Sequence, residues 1–275
     1  MKKLLKHSKN DFDVSTLPVT RGKQLVDIYK NRFPLLLLCG VCLALFTIPI
    51  LISVPMKDMA LVACAKNDTK SIVFTYFIFQ FCLVIYLIIN SVCISGITNI
   101  IRNLYYSESV LFIDDFKKGV KQNFLNNFLA SLIFGSIYLI SFFVMMITNF
   151  NALGIIPMII CILLFFPAYI WVMLENAIYK DKLGILIRNS IFFISKNIWK
   201  TYSLCAAMLL PLSLTFMSDF LIKDIIIFIY ACFALPFIIM LFFVVSLNSF
   251  DKYINEENYK DHYKKGLYDP KKDLL

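Results

Sequence analysis

Few side chains in this sequence could do chemistry inside an apolar environment. Glu175, followed directly by Asn176, closes a long uncharged run and is the nearest candidate for a functional carboxylate, alongside the plainer roles of helix cap or ion-pair partner. Asn90, Ser91 and Ser95 could share one helix face, where neutral polar groups either hydrogen-bond a sugar hydroxyl or join neighbouring helices. A cationic set, Arg102, Lys117, Lys118, Lys121, Arg188 and Lys196, lies in two polar interruptions at 102–123 and 175–198, where it could contact anionic lipid or a partner protein. Cys39 and Cys42 form a CxxC deep in an apolar run, where a metal or redox pair would lack polar support, so they read as small packing residues.

Other chemistry is missing. The two histidines, His7 and His262, fall near the chain ends, so the apolar runs hold no HExxH or other histidine ligand set. There is no phosphate-cradling glycine loop and no GxSxG elbow. The sequence therefore nominates no catalytic residue, no cofactor and no metal ligand, and the expectation is a protein that is not an enzyme.

The elements that must position these groups follow from composition. Of 275 residues, 60% are hydrophobic and 16% charged, with mean hydropathy +0.76, too apolar for a domain whose surface meets water. Charges are confined to blocks: 33–56, 71–101, 122–174, 201–218 and 225–250 contain no Asp, Glu, Lys or Arg. The third of these holds Asn149, Asn151 and Gly154 near its middle and is long enough for two spans of roughly 20 residues each. The expected fold is an all-α polytopic membrane helical bundle with six transmembrane helices, near 33–54, 74–97, 124–147, 155–174, 199–217 and 225–247. The organisation is a 1–32 N-terminal segment with a short interfacial helix, a 33–247 membrane domain and a 248–275 tail.

Basic residues orient the chain. In that layout one side carries 23 of the 27 Lys and Arg residues, including both termini. The positive-inside rule then predicts a multi-pass protein of the cytoplasmic membrane with both termini cytoplasmic. The formal net charge of +9 is accounted for by topology, with no need for nucleic acid as a partner.

Local patterns refine this layout. Leu25, Ile28 and Tyr29 fall on one side of a short helix leading into the first span. Ile113, Phe116, Val120 and Phe124 share a face, predicting a short helix that lies on the membrane surface or packs on the bundle. Pro49 and Pro55 should kink or stop the first span, and Pro167, Pro211 and Pro236 should bend later ones. The second run is longer than a bilayer requires and should tilt, protrude or break, with Gly96 a plausible break. Lys30, Lys121 and Lys196 each precede an aromatic by three residues, Phe33, Phe124 and Trp199, which is either a threefold hairpin repeat or the usual composition of a membrane boundary.

With these residues laid out, the chain resembles the YesL-like family of bacterial integral membrane proteins, a domain of unknown function. The likeness rests on Gly96, Arg102, Asn103 and Glu108, then Asp115-Phe116, Gly119 and Lys121-Gln122-Asn123. It continues through Phe166-Pro167, Glu175-Asn176, the run from Arg188 to Phe193 and the tail Tyr263 to Tyr268. The resemblance implies a polytopic helical protein of the cytoplasmic membrane and, as partner, a carbohydrate ABC transporter. It supplies no catalytic residues.

Overall fold

The computed structural model describes residues 18–64, 69–213 and 220–268. The lysines of 1–17, Asn67-Asp68, the far end of the fifth expected span at 214–217 and residues 269–275 lie outside the described residues. The helices in chain order are α1 (Arg21–Asn31), α2 (Phe33–Ala63), α3 (Thr69–Tyr105), α4 (Phe112–Ile147), α5 (Ala152–Ile160), α6 (Phe166–Ile178), α7 (Leu183–Lys196), α8 (Ile198–Ser213), α9 (Phe220–Ile229), α10 (Leu235–Phe250) and α11 (Glu256–Asn258). Single π-helical turns, Cys161–Phe165, Tyr230–Ala234 and Asp251–Asn255, join α5 to α6, α9 to α10 and α10 to α11. No strand occurs among the described residues.

Five stretches are long and apolar enough to cross a bilayer: Phe33–Ala63, Lys70–Tyr105, Phe112–Ile147, Ala152–Ile178 and Ile222–Asn258. Their polarity is arranged for a lipid solvent. On α3, Phe74, Ile78, Phe81, Ile85 and Ile89 point outward at helical spacing, while Asn90, Ser91, Ser95, Thr98, Asn99 and Asn103 are buried. A helix facing water would show the opposite pattern, so apolar surroundings are the consistent reading of this surface. The chain is an integral membrane protein by this criterion. The fifth expected span corresponds to α8, whose 16 residues reach about 24 Å.

α3 and α4 form a long antiparallel hairpin, with α2 packed on α3 and on the π turn before α10, and α6 and α10 in the interior. Close approach is made by glycine. A Cβ on Gly119 would sit 2.6 Å from the Ser95 carbonyl oxygen, and one on Gly96 2.3 Å from the Phe116 ring. Gly96 therefore does not break the second run: α3 is one unbroken helix of 37 residues, and Gly96 seats Phe116. Nor is 113–124 a separate surface helix. It is the first third of α4, because nothing in Phe112–Ile147 withholds a backbone donor from the helix.

Proline shapes the other rods. α2 continues past Pro49 and Pro55 to Ala63. Pro167 and Pro236 each follow a π turn, and the helix continues past both prolines. Pro167 withholds a donor from the Leu163 carbonyl, and the Tyr202 hydroxyl donates to it at 2.7 Å. Pro211 does the same to Ala207, whose carbonyl receives the Tyr230 hydroxyl. The Cys232 carbonyl, four residues before Pro236, abuts Gly40 of α2, where a Cβ would come within 1.8 Å. Cys42 also packs across helices, its Sγ 3.8 Å from that of Cys93, and all eight cysteines are free. At the far end, Lys223, 2% exposed, pairs with Asp58 at 2.8 Å.

Candidate functional site

The polar candidates collect at the end where α3 turns into α4, here the basic end. One set ties α3, α4 and α6 together through amides. Asn127 Nδ2 donates to Ser95 Oγ at 2.8 Å, and Asn176 Nδ2 donates to Asn127 Oδ1 and to the Asn123 carbonyl, both at 2.9 Å. Asn126 Nδ2 reaches Asn176 Oδ1 at 2.9 Å and the Asp181 carbonyl at 3.0 Å. Asparagine suits this place because its amide both donates and accepts, so successive residues satisfy one another without charge.

The in-span candidates are absorbed locally. Ser91 donates to the Ile88 carbonyl and Ser95 to the Ser91 carbonyl, both at 2.6 Å, while Asn90 Nδ2 donates to the Tyr86 hydroxyl at 3.1 Å. Asn90 Oδ1 is buried without a hydrogen-bond partner. Glu175 is fully buried; Oε1 accepts from Asn189 Nδ2 of α7 at 2.6 Å, and Oε2 has no partner. It serves as a latch between α6 and α7. A cleft of about 20 Å³ beside α2 and α10, lined by Tyr29, Phe33, Leu36, Phe237 and Met240, includes none of these groups.

The cationic candidates divide. Arg102 turns inward, donating through Nη1 to the Ala177 carbonyl at 3.0 Å and through Nε and Nη2 to Asn103 Oδ1 at 3.1 and 2.7 Å. Asn103 in turn donates to Asp115 Oδ1 at 3.0 Å, which secures the first turn of α4. Lys117, Lys118 and Lys121 are exposed along α4, and Arg188 and Lys196 are exposed on α7. Arg102, grouped in the sequence with the lipid- or partner-contacting cations, is instead engaged by Asn103 and the Ala177 carbonyl, and the remaining five cations lie on two separate exposed surfaces.

Sequence reasoning missed a second network, built around Arg21. This guanidinium is 1% exposed; Nη2 donates to Asp251 Oδ2 at 3.0 Å, and Nη1 donates to Gln24 Oε1 at 3.0 Å and to the Lys265 carbonyl at 2.8 Å. Gln24 Nε2 bonds the carbonyls of Tyr105 at 2.6 Å and Gly266 at 3.0 Å. The buried face of α1 is thus Arg21, Gln24 and Ile28, whereas Tyr29, grouped with Leu25 and Ile28 on one side in the sequence, is 45% exposed. Spacings of three and four were present at 21, 24 and 28, but polar residues at those spacings read as a wet face when no partner is known.

The Asp251–Asn255 turn and the residues after α11 complete the clasp. Asp251 Oδ1 accepts from Asn255 Nδ2 at 2.8 Å and from the Lys264 backbone at 3.1 Å, and Asn255 Oδ1 receives the Tyr179 hydroxyl. Gly266 adopts φ +81°, and a Cβ there would lie 2.2 Å from the Tyr105 carbonyl oxygen, so glycine is required on both counts. Lys265 pairs with Glu108 at 2.7 Å and covers the Tyr106 ring. His262 Nδ1 lies 3.1 Å from the Tyr106 hydroxyl. Burial, then the charges of Lys265 and Arg102, holds the His262 imidazole below its ordinary range.

Chemically, this end can bind anions through exposed cations and hold helices together through amides. Among the described residues, no group of three or more His, Cys, Asp and Glu side chains could hold a metal ion. No protein-family model, no curated protein and no solved structure matches the chain.

Proposed function

We propose that this protein is a six-span accessory or scaffold component of the cytoplasmic membrane, YesL-like, with both termini inside and a role beside a carbohydrate uptake system. One observation carries the accessory reading: Ser91, Ser95, Asn127 and Asn176 within the spans each bond another helix or their own backbone, whereas exposed cations are displayed at the basic end. A permeation path would need polar groups facing a water-filled route, and Ser91 and Ser95 instead face carbonyls one turn away. The role beside carbohydrate uptake, with an ABC transporter as partner, rests on the family resemblance.

Mild crosslinking of the full chain in its native membrane, followed by affinity purification, tests this reading. Recovery of transporter components is the expected result, and recovery of the protein alone overturns it. The unpartnered Asn90 Oδ1 favours a second reading, a small-solute carrier that binds a sugar hydroxyl there. Sugar flux in liposomes that is lost in Asn90→Ala would establish that alternative.

A further inference from the structure

α7 folds back along the end of α6, with Asn189 bonded to Glu175 at 2.6 Å and Phe193 stacked on Trp171 at 5.1 Å between centroids. The chain then turns within one residue, Asn197, and α8 starts beside the same tryptophan, Trp171 Nε1 donating to Thr201 at 3.2 Å. This packing consumes Leu186, Ser190, Phe193 and Ile194. The remaining face displays Ile185, Ile191 and Phe192 together with Arg188 and Lys196, and it continues into Ile198, Trp199 and Lys200. Trp199 is 88% exposed, in contrast to fully buried Trp171. From Lys182 to Lys200 the chain carries four cations and no acidic residue.

A surface facing water would not combine large apolar side chains with these cations, and one facing only acyl chains would not carry cations at all. The combination belongs to the boundary between the two, with the indole in the headgroup layer and the lysine stems lying along apolar surface while their amines reach outward. Because every charge in the segment is positive, the complementary occupant is anionic.

We infer that the outward face of α7 and the first turn of α8 form a binding surface for anionic phospholipid headgroups of the inner leaflet. Arg188, Lys196 and Lys200 take the headgroup phosphate, Trp199 sits at the headgroup level, and Ile191 and Phe192 pack on the acyl chains just beneath it. The assignment to the inner leaflet rests on the proposed orientation of the basic end. The lipid contact itself does not.

The test uses Trp199 as its own probe, since the chain has two tryptophans. Full-length protein carrying Trp171→Phe is placed in phosphatidylcholine vesicles containing equal shares of either brominated phosphatidylglycerol or brominated phosphatidylcholine. If that variant does not fold, the wild-type chain serves, with buried Trp171 as a constant background. The expected result is about twofold stronger quenching by the anionic lipid at low salt, a difference lost in the Arg188→Gln, Lys196→Gln, Lys200→Gln triple variant and reduced at high salt. Equal quenching by the two lipids overturns the proposal. So does quenching by aqueous iodide in place of lipid, the outcome a soluble acidic partner would give. If reporter fusions place residues 182–200 outside the cell while the lipid difference persists, the lipid site stands and the orientation falls.

Discussion

Arg21 shows how much one side chain can organise at the edge of a membrane. Its guanidinium gathers α1, the end of α3, the Asp251 turn and the folded-back residues 264–266 into one clasp, which a lysine with its single ammonium could not reproduce. Truncating one partner of a buried ion pair leaves the other charge unpaired, at a cost of about 3–5 kcal/mol. Arg21→Ala should therefore lower the thermal midpoint of the purified protein in detergent. Arg21→Ala combined with Asp251→Ala should be less destabilised than the sum of the single variants. Additive shifts would mean that the contact contributes little to stability. Gly119 acts in the opposite manner, by the absence of a side chain, since a methyl there would strike the Ser95 carbonyl and the Asn99 side chain.

At the scale of elements, the membrane's lack of water explains the tyrosines. A carbonyl released by proline has no solvent to turn to inside a bilayer and must find a donor on a neighbouring helix. Tyr202 supplies it for Leu163 and Tyr230 for Ala207, so two proline positions become contacts between α8 and its neighbours. Tyr202→Phe should cost about 1–2 kcal/mol by leaving the Leu163 carbonyl unsatisfied. In a Pro167→Ala background the restored backbone N–H should remove most of that cost. A double-mutant cycle on unfolding midpoints measures this coupling, and a coupling near zero would detach the tyrosine from the proline. The short helices also share a device: α1 and α7 each end in a single non-helical residue, Arg32 and Asn197, with similar backbone angles before a long helix begins. At Lys121 the equivalent break is absent, because α4 runs through it.

For the whole molecule, length and charge lead to one expectation. α3 and α4, at 37 and 36 residues, reach about 55 Å, well beyond a hydrocarbon core of about 30 Å, so the hairpin should project from the bilayer at the basic end. Reporter fusions after Ser107 and after Asp181 should read cytoplasmic, and fusions after Cys64 should read external. Cytoplasmic signals at all three positions would overturn the six-span layout, and a full reversal of the three would overturn the orientation instead. Composition, uncharged runs and lysine distribution were sufficient to reveal an all-helical membrane bundle and the exposed basic candidates, because lipid selects residues by their transfer energy, a property of each side chain alone. Which polar groups would be consumed internally was not legible. Arg21 meeting Asp251, Asn176 meeting Asn127 and Glu175 meeting Asn189 are pairings between positions 14 to 230 residues apart, and a hydrogen bond depends on where two groups come to rest. Tertiary packing alone decided that Arg102 turns inward while Arg188 stays outside, since equal charges differ only in the acceptors that folding brings within reach.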